Sequence, residues 1–270
     1  GEHIQGAAGN ILVETARLNL SGDSLFNTSS RGSTGTAGNI TVNATDLLTI
    51  SGFGTQLTSQ SVEFSFGDAG DISISAPSVV VENNGFISTS TSFVGNAGTI
   101  TVNTNNLQLL SGGHITSSSV IENPDFPEFA PTGNAGTVTI QGLASLAESV
   151  LIDGTGSGIF TETQGSGAGG NIFVNANTVT LQNGGTLSAA TSGTAASATG
   201  GTITVDATNT VTMNSASMTA SSTGTADAGS INITALNGFT MQSSSIRTEV
   251  TSPATPGTSS AGGGNIKITT

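Results

Sequence analysis

Gly98-Thr-Ile-Thr-Val-Asn-Thr-Asn-Asn-Leu-Gln-Leu-Leu-Ser-Gly-Gly-His-Ile-Thr-Ser-Ser-Ser119 recurs in approximate copies along most of a 270-residue chain. Each copy opens with a glycine, a polar residue and an Ile-x-Val pair. The openings fall at Gly9, Gly38, Gly70, Gly98, Gly136, Gly170, Gly201, Gly229 and Gly264, at intervals of 28 to 38 residues. Periods of this size indicate a solenoid, propeller or array, and they outrank any local motif.

Within a copy the apolar residues alternate with polar ones in three short runs, so each run reads as a strand with one buried face. The first run carries pairs such as Ile40/Val42, Ile72/Ile74 and Ile100/Val102. The second carries Leu48/Ile50, Val79/Val81 and Leu107/Leu109. The third is anchored at Leu25, Leu57, Ile87, Ile115, Ile159, Leu187, Met218 or Ile246. A small residue follows two positions later, for example Asn27, Ser59, Thr89 or Ser117, and suits a strand bending into a corner.

The distance from leading glycine to third anchor is 17 residues in five of the eight units, whereas the distance from that anchor to the next glycine runs from 11 to 21. Insertions therefore collect mostly at one edge. Three strands per turn, with like residues over like, specify an all-β chain folded as a single-stranded parallel β-helix of about 8 to 9 coils. Unbroken periodicity makes residues 1–270 one continuous domain. At roughly 4.8 Å per coil the rod is about 40 Å long.

Charged residues are only 8% of the chain, so hydroxyls and amides must supply solubility. The net charge is −13 and the only cations are Arg17, Arg31, Arg247 and Lys267. That balance argues against nucleic acid, whose binding rests on phosphate neutralisation, and against an anionic membrane surface. Cysteine is absent, which removes disulfide and thiolate-metal readings. No apolar run approaches the length of a membrane span. The sequence starts just before one repeat and stops just after the first strand of another, and is expected to be an excerpt of a longer rod whose targeting information lies elsewhere.

Several stretches depart from the pattern. Val62, Phe64 and Phe66 alternate with polar residues, as an extended third strand or a small exposed apolar ridge, the extension being favoured. Ile121 to Thr132 holds three of the six prolines and leaves the sheet as a loop, since proline cannot donate to a ladder. Its Phe126 and Phe129 are the expected partner-binding residues. Leu143 to Ser149 reads as one helical turn or a bulged loop. Asn83-Asn84-Gly85, Gly112-Gly113 and Asn183-Gly184-Gly185 suit corners with positive φ.

No residues are assigned to catalysis or to a cofactor. Gly165-Ser-Gly-Ala-Gly-Gly170 matches a dinucleotide fingerprint in letters, but it precedes a strand and reads as a solenoid corner. His3 and His114 are the only histidines, too far apart in sequence to suggest a cluster, and His114 is expected as a solvated corner residue beside Phe86 and Gly158. Arg247 and Glu249 read as a surface pair. Calcium wants clustered oxygen ligands. The candidates are Asp68 and Asp71, which flank Ala69-Gly70, and Glu122, Asp125 and Glu128, which share the proline-rich loop. Plain solvated charge is the default for both groups. Outward Ser/Thr rows, Thr41, Ser73, Thr101 and Thr139 on strand one with Thr58, Ser88 and Thr116 on strand three, bring ice binding to mind. Phe26, Phe160, Phe173 and Arg247 interrupt them.

The unit G-N-[IA]-x-[IV]-x-[VI]-x-[AT] followed by L-x-L-x-x-G-x-x-I-x-[TS]-x-[TS], clearest at Gly38 to Ala44 and Leu107 to Ser119, resembles the repeats of filamentous-haemagglutinin-like exoproteins, particularly the large surface proteins of cyanobacteria. The resemblance implies a right-handed parallel β-helix, export by a two-partner system and an extracellular role in adhesion or a surface layer. The expected function is thus a structural or adhesive rod without enzymatic activity. The alternatives are a β-helical polysaccharide-binding or polysaccharide-cleaving protein such as a phage tailspike and, behind it, an ice-binding protein. Expected partners are further repeats, a second copy head to tail, surface glycans or other cells, with no membrane insertion.

Overall fold

A computed structural model describes residues 6–122, 130–193, 198–251 and 262–270. Alternating apolar residues bury one face of each strand, and stacking the strands makes a parallel β-solenoid of about eight turns, with no helix among the described residues. Ile11, Ile40, Ile72, Ile100, Val138, Ile172, Ile203, Ile231 and Ile266 stand one above the next, every pairing parallel. Seven of these nine, Ile40 through Ile231, are at most 1% exposed. A second ladder stacks Leu48, Val79, Leu107, Val150, Val179 and Val211.

These two ladders belong to one 13-stranded sheet, because the strands Ile11–Ser21, Ile40–Ser51, Asn171–Gln182 and Thr202–Asn214 pass round the corner without a break. The third ladder is a separate sheet of eight three-residue strands, centred on Leu57, Ile87, Ile115, Ile159, Leu187 and Met218. About five aliphatic side chains per coil meet in the interior, each contributing about 1.5–3 kcal/mol before chain entropy is subtracted.

The first unit corrects the expected anchor. Phe26, not Leu25, pairs with Leu57 and packs on the core, while Leu25 is exposed and Thr28 takes the small-residue place given to Asn27. Phe26 lies 17 residues after Gly9, the spacing of the regular units. Spacing is thus the better guide here than the more aliphatic letter. Phe26 accordingly interrupts no outward row.

Close approach explains the leading glycines. A Cβ on Gly98 would overlap the carbonyl oxygen of Gly70 one coil below, and the same holds up the column at Gly136, Gly170, Gly201 and Gly229. At the second corner Asn83 and Asn84 have φ of 55° and 63°, and Gly184 has φ of 99°, as a positive-φ corner requires. Gly142 to Leu146 turns back on itself before the strand Ala147–Asp153, which resolves that stretch as a loop.

Each coil also has a fourth side. Ser61, Thr91, Ser119, Thr163, Thr191 and Ser222 bridge coil to coil in parallel, and Ser30–Arg31 pairs with Ser61–Val62 as a short strand. Behind this run a second glycine column, Gly35, Gly67, Gly95, Gly133 and Gly167, stacks as tightly as the first. The two columns spell a G-x-x-G signal, seen at Gly95-Asn-Ala-Gly98 and Gly133-Asn-Ala-Gly136.

Candidate functional site

The fourth side is where the coils differ most, and it positions the polar groups that a partner could meet. From Thr28 to Ala220 the described coils turn onto it at a buried small residue. At several of these corners the residue's hydroxyl caps a leading glycine: Thr28 Oγ1 donates to the Gly38 carbonyl at 2.8 Å, and Thr89 Oγ1 and Ser117 Oγ both donate to the Gly98 carbonyl, at 3.1 and 2.5 Å. The next inward position is again a hydroxyl, and Ser30 Oγ donates to the Gly35 carbonyl at 2.8 Å. Thr91, Ser119, Thr161 and Ser222 bury hydroxyls that have no partner.

Asp68 and Asp71 do not face a shared void. They belong to two polar ladders along the glycine columns, where a side-chain oxygen accepts the N–H of the coil above. Asp68 Oδ1 accepts from Asn96 N at 2.7 Å, and Asn96 Oδ1 from Asn134 N at 3.0 Å. Asp71 Oδ1 accepts from Thr99 N at 2.7 Å, and Asn39 Oδ1 from Asp71 N at 2.8 Å. Their oxygens thus close the coil. Among the described residues no group of three or more His, Cys, Asp or Glu comes together.

In the N-terminal half the fourth side carries aromatic rings. Phe64 and Phe66 each meet Phe93 edge-on, with centroids 5.4 and 5.3 Å apart, and both are substantially exposed. Of the two readings of this stretch the ridge is the one realised. Pairing stops at Val62, because Glu63 and Phe64 turn to φ of 54° and 63°. Glu122 anchors here: its Oε2 accepts from Glu63 N at 3.0 Å and from Ser92 Oγ at 2.9 Å. Asp125, Phe126, Glu128 and Phe129 lie outside the described residues, as does His3.

His114 corrects a second expectation. Its ring stacks on Phe86 at 5.2 Å and 7°, meets Phe160 edge-on at 6.1 Å, and contacts the Gly112 carbonyl through Nδ1 at 3.0 Å. It is half-buried between aromatics, and burial holds its pKa below the ordinary histidine value, opposed by the Gly112 carbonyl. Thr58 and Ser88, expected outward, are almost fully buried. Gln60 Nε2 donates to Ser88 Oγ at 2.8 Å, one link in a hydroxyl chain through Ser90, Thr116 and Ser118. The Arg247–Glu249 pair forms at 3.0 Å on the surface, and Gly165 to Gly170 make a solenoid corner.

In the C-terminal half the third ladder and the fourth run diverge into a trough of about 300 Å³. Ala190 and Ser221 form its floor, Glu162 and Glu249 stand at its two ends, and Gln164, Ser192, Thr219 and Thr223 line the sides. Glu162 Oε1 accepts from Ser188 Oγ, and Thr219 Oγ1 donates to Ser221 Oγ at 3.2 Å. In comparisons with known proteins, no family model, no curated protein and no solved structure matches the chain.

Proposed function

We propose that the chain is a segment of a structural and adhesive extracellular rod, working by reach and by rows of hydroxyl and amide groups and not by catalysis. The observation that carries this reading is the unbroken register of like residues over nine rungs. Such stacking spreads similar polar groups along a surface instead of converging different ones on a point. The likeness of the repeat to filamentous-haemagglutinin-like exoproteins supports an exported, surface-bound setting. The fourth side is the partner-facing edge, and the longest insertion in the sequence between one coil and the next holds Phe126 and Phe129.

Lengthening belongs to this reading. Ile266, Ile268 and Met241 are 45%, 41% and 43% exposed, and a second copy stacked on them in register would bury them. The test of adhesion is to coat beads with the protein and count attachment to cells and to glycan-coated glass. Attachment no greater than that of an inert protein of equal charge rejects it. Light scattering at high concentration tests the second copy, and a strictly monomeric mass rejects that part.

A further inference from the structure

We infer that the trough between Glu162 and Glu249 is a binding site for a neutral glycan chain lying along the rod axis. This rests on the adhesive reading above and names the ligand class it would take. The argument is one of chemistry and of spacing. The lining alternates carbon and polar tips: the methyls and methylenes of its Thr, Ala, Glu and Gln residues give most of the exposed area, which suits the C–H faces of a sugar ring, and their hydroxyl, amide and carboxylate ends reach the sugar hydroxyls. Among the described residues that line it Ala190 alone has a purely apolar side chain, and none of them builds a deep pocket of the kind that takes the alternate side chains of an extended peptide.

A peptide would also need free backbone groups. Those of the fourth run are taken: Thr163 N donates to the Ala190 carbonyl at 3.0 Å, Thr191 N to Ser221 at 2.9 Å and Ser222 N to Glu249 at 2.9 Å. An acidic glycan or a nucleic acid would meet two carboxylates and a chain of net charge −13. Glu249 is already paired with Arg247, which leaves Glu162, held by the neutral Ser188 hydroxyl, as the single uncompensated carboxylate of the trough, too little to select a strongly cationic ligand.

The two glutamates are three coils apart, roughly 14 Å at about 4.8 Å per coil. Register places Gln164, Ser192, Thr223 and Thr251 one above the next, so an extended glycan, whose sugar unit advances by a comparable step, meets one amide or hydroxyl of this row at every unit. Small residues at Ala190 and Ser221 leave room between the end carboxylates, where a larger side chain would fill the floor. The volume is at the lower end of ligand sites and open to solvent, which suits one or two units of a longer chain held weakly and repeatedly.

The test is titration of the whole chain with hexasaccharides of neutral β-linked glucan and galactan, with their sulfated and uronic counterparts, and with an oligolysine peptide. Binding to a neutral hexasaccharide at millimolar or better, at least tenfold stronger than to the acidic forms and oligolysine, is expected. Ala190→Phe and Thr223→Phe, both at outward positions, should each weaken it at least tenfold with unchanged circular dichroism and melting. Neutral binding that survives both variants, preference for the acidic glycans or oligolysine, or no glycan binding at all overturns the inference. The bead assay keeps the two readings apart. Attachment that persists in Ala190→Phe counts against the trough alone, whereas its absence in the unmodified chain counts against adhesion.

Discussion

The aliphatic interior and the hydroxyl corner of the same coils obey one rule, like over like, and satisfy it by different physics. Behind the first three ladders the stacked groups are Ile, Val and Leu at or near zero exposure, and their cohesion is burial. Behind the fourth run they are Ser, Thr and Gly, packed so closely that the glycines admit no Cβ, and cohesion comes from hydroxyls capping glycine carbonyls. The first region tolerates no polarity. The second tolerates insertions, since each hydroxyl contact is local to one corner and worth only about 1 kcal/mol.

The sharpest way to break the contrast is to place a charge in the aliphatic stack. Ile100→Asp buries an unpaired carboxylate between Ile72 and Val138 and should cost at least about 4 kcal/mol, unfolding neighbouring coils with it. Urea denaturation followed by circular dichroism measures this. A loss under 1 kcal/mol would show that the interior is wet. Next comes overpacking at the corner: Gly98→Val drives a side chain into the Gly70 carbonyl, with an expected loss of about 2 kcal/mol in the same assay.

Smaller effects separate hydroxyls that work from those that do not. Ser117→Ala removes the shorter of the two caps on Gly98 and should cost about 1 kcal/mol, whereas Thr91→Val removes a buried hydroxyl without a partner and should be neutral or stabilising. Equal losses would mean that Thr91 has a partner in solution. The smallest effect is that of His114. Its depressed pKa means that the unfolded chain binds the proton first, so stability should fall as pH drops below about 6.5. In His114→Phe, which keeps the ring stack, that part of the slope should vanish from melting curves.

How much was legible follows the same division. Three ladders, their register and the pairs Ile40/Ile72/Ile100 could be read because aliphatic alternation is a strong signal. Leu25 is the more aliphatic letter of Leu25-Phe26, and only the 17-residue spacing from Gly9 singles out Phe26. The fourth run escaped because serine and threonine facing inward look the same in sequence as those facing water. Only the paired glycines behind them, as in Gly133-Asn-Ala-Gly136, carried a readable sign. Asp68 and Asp71 read by default as solvated charge, with calcium a weak alternative, because a carboxylate accepting a backbone N–H from the next coil cannot be told from a solvated one until register places Asn96 and Thr99 above them. The trough depends on small residues at Ala190 and Ser221 between two glutamates of other coils, a pattern distributed over nearly ninety residues.

Backbone pairing joins each coil only to the one before and the one after it. Under tension between its two ends such a rod has no single strand whose failure releases the whole. Coils should peel from an end one at a time, each freeing about 30 residues and so lengthening the tether by about 100 Å. An optical trap should record a staircase of such steps at similar force; one cooperative rupture would contradict it. On the adhesive reading proposed above, a cell held by this protein would be on a tether that lengthens as the flow strengthens.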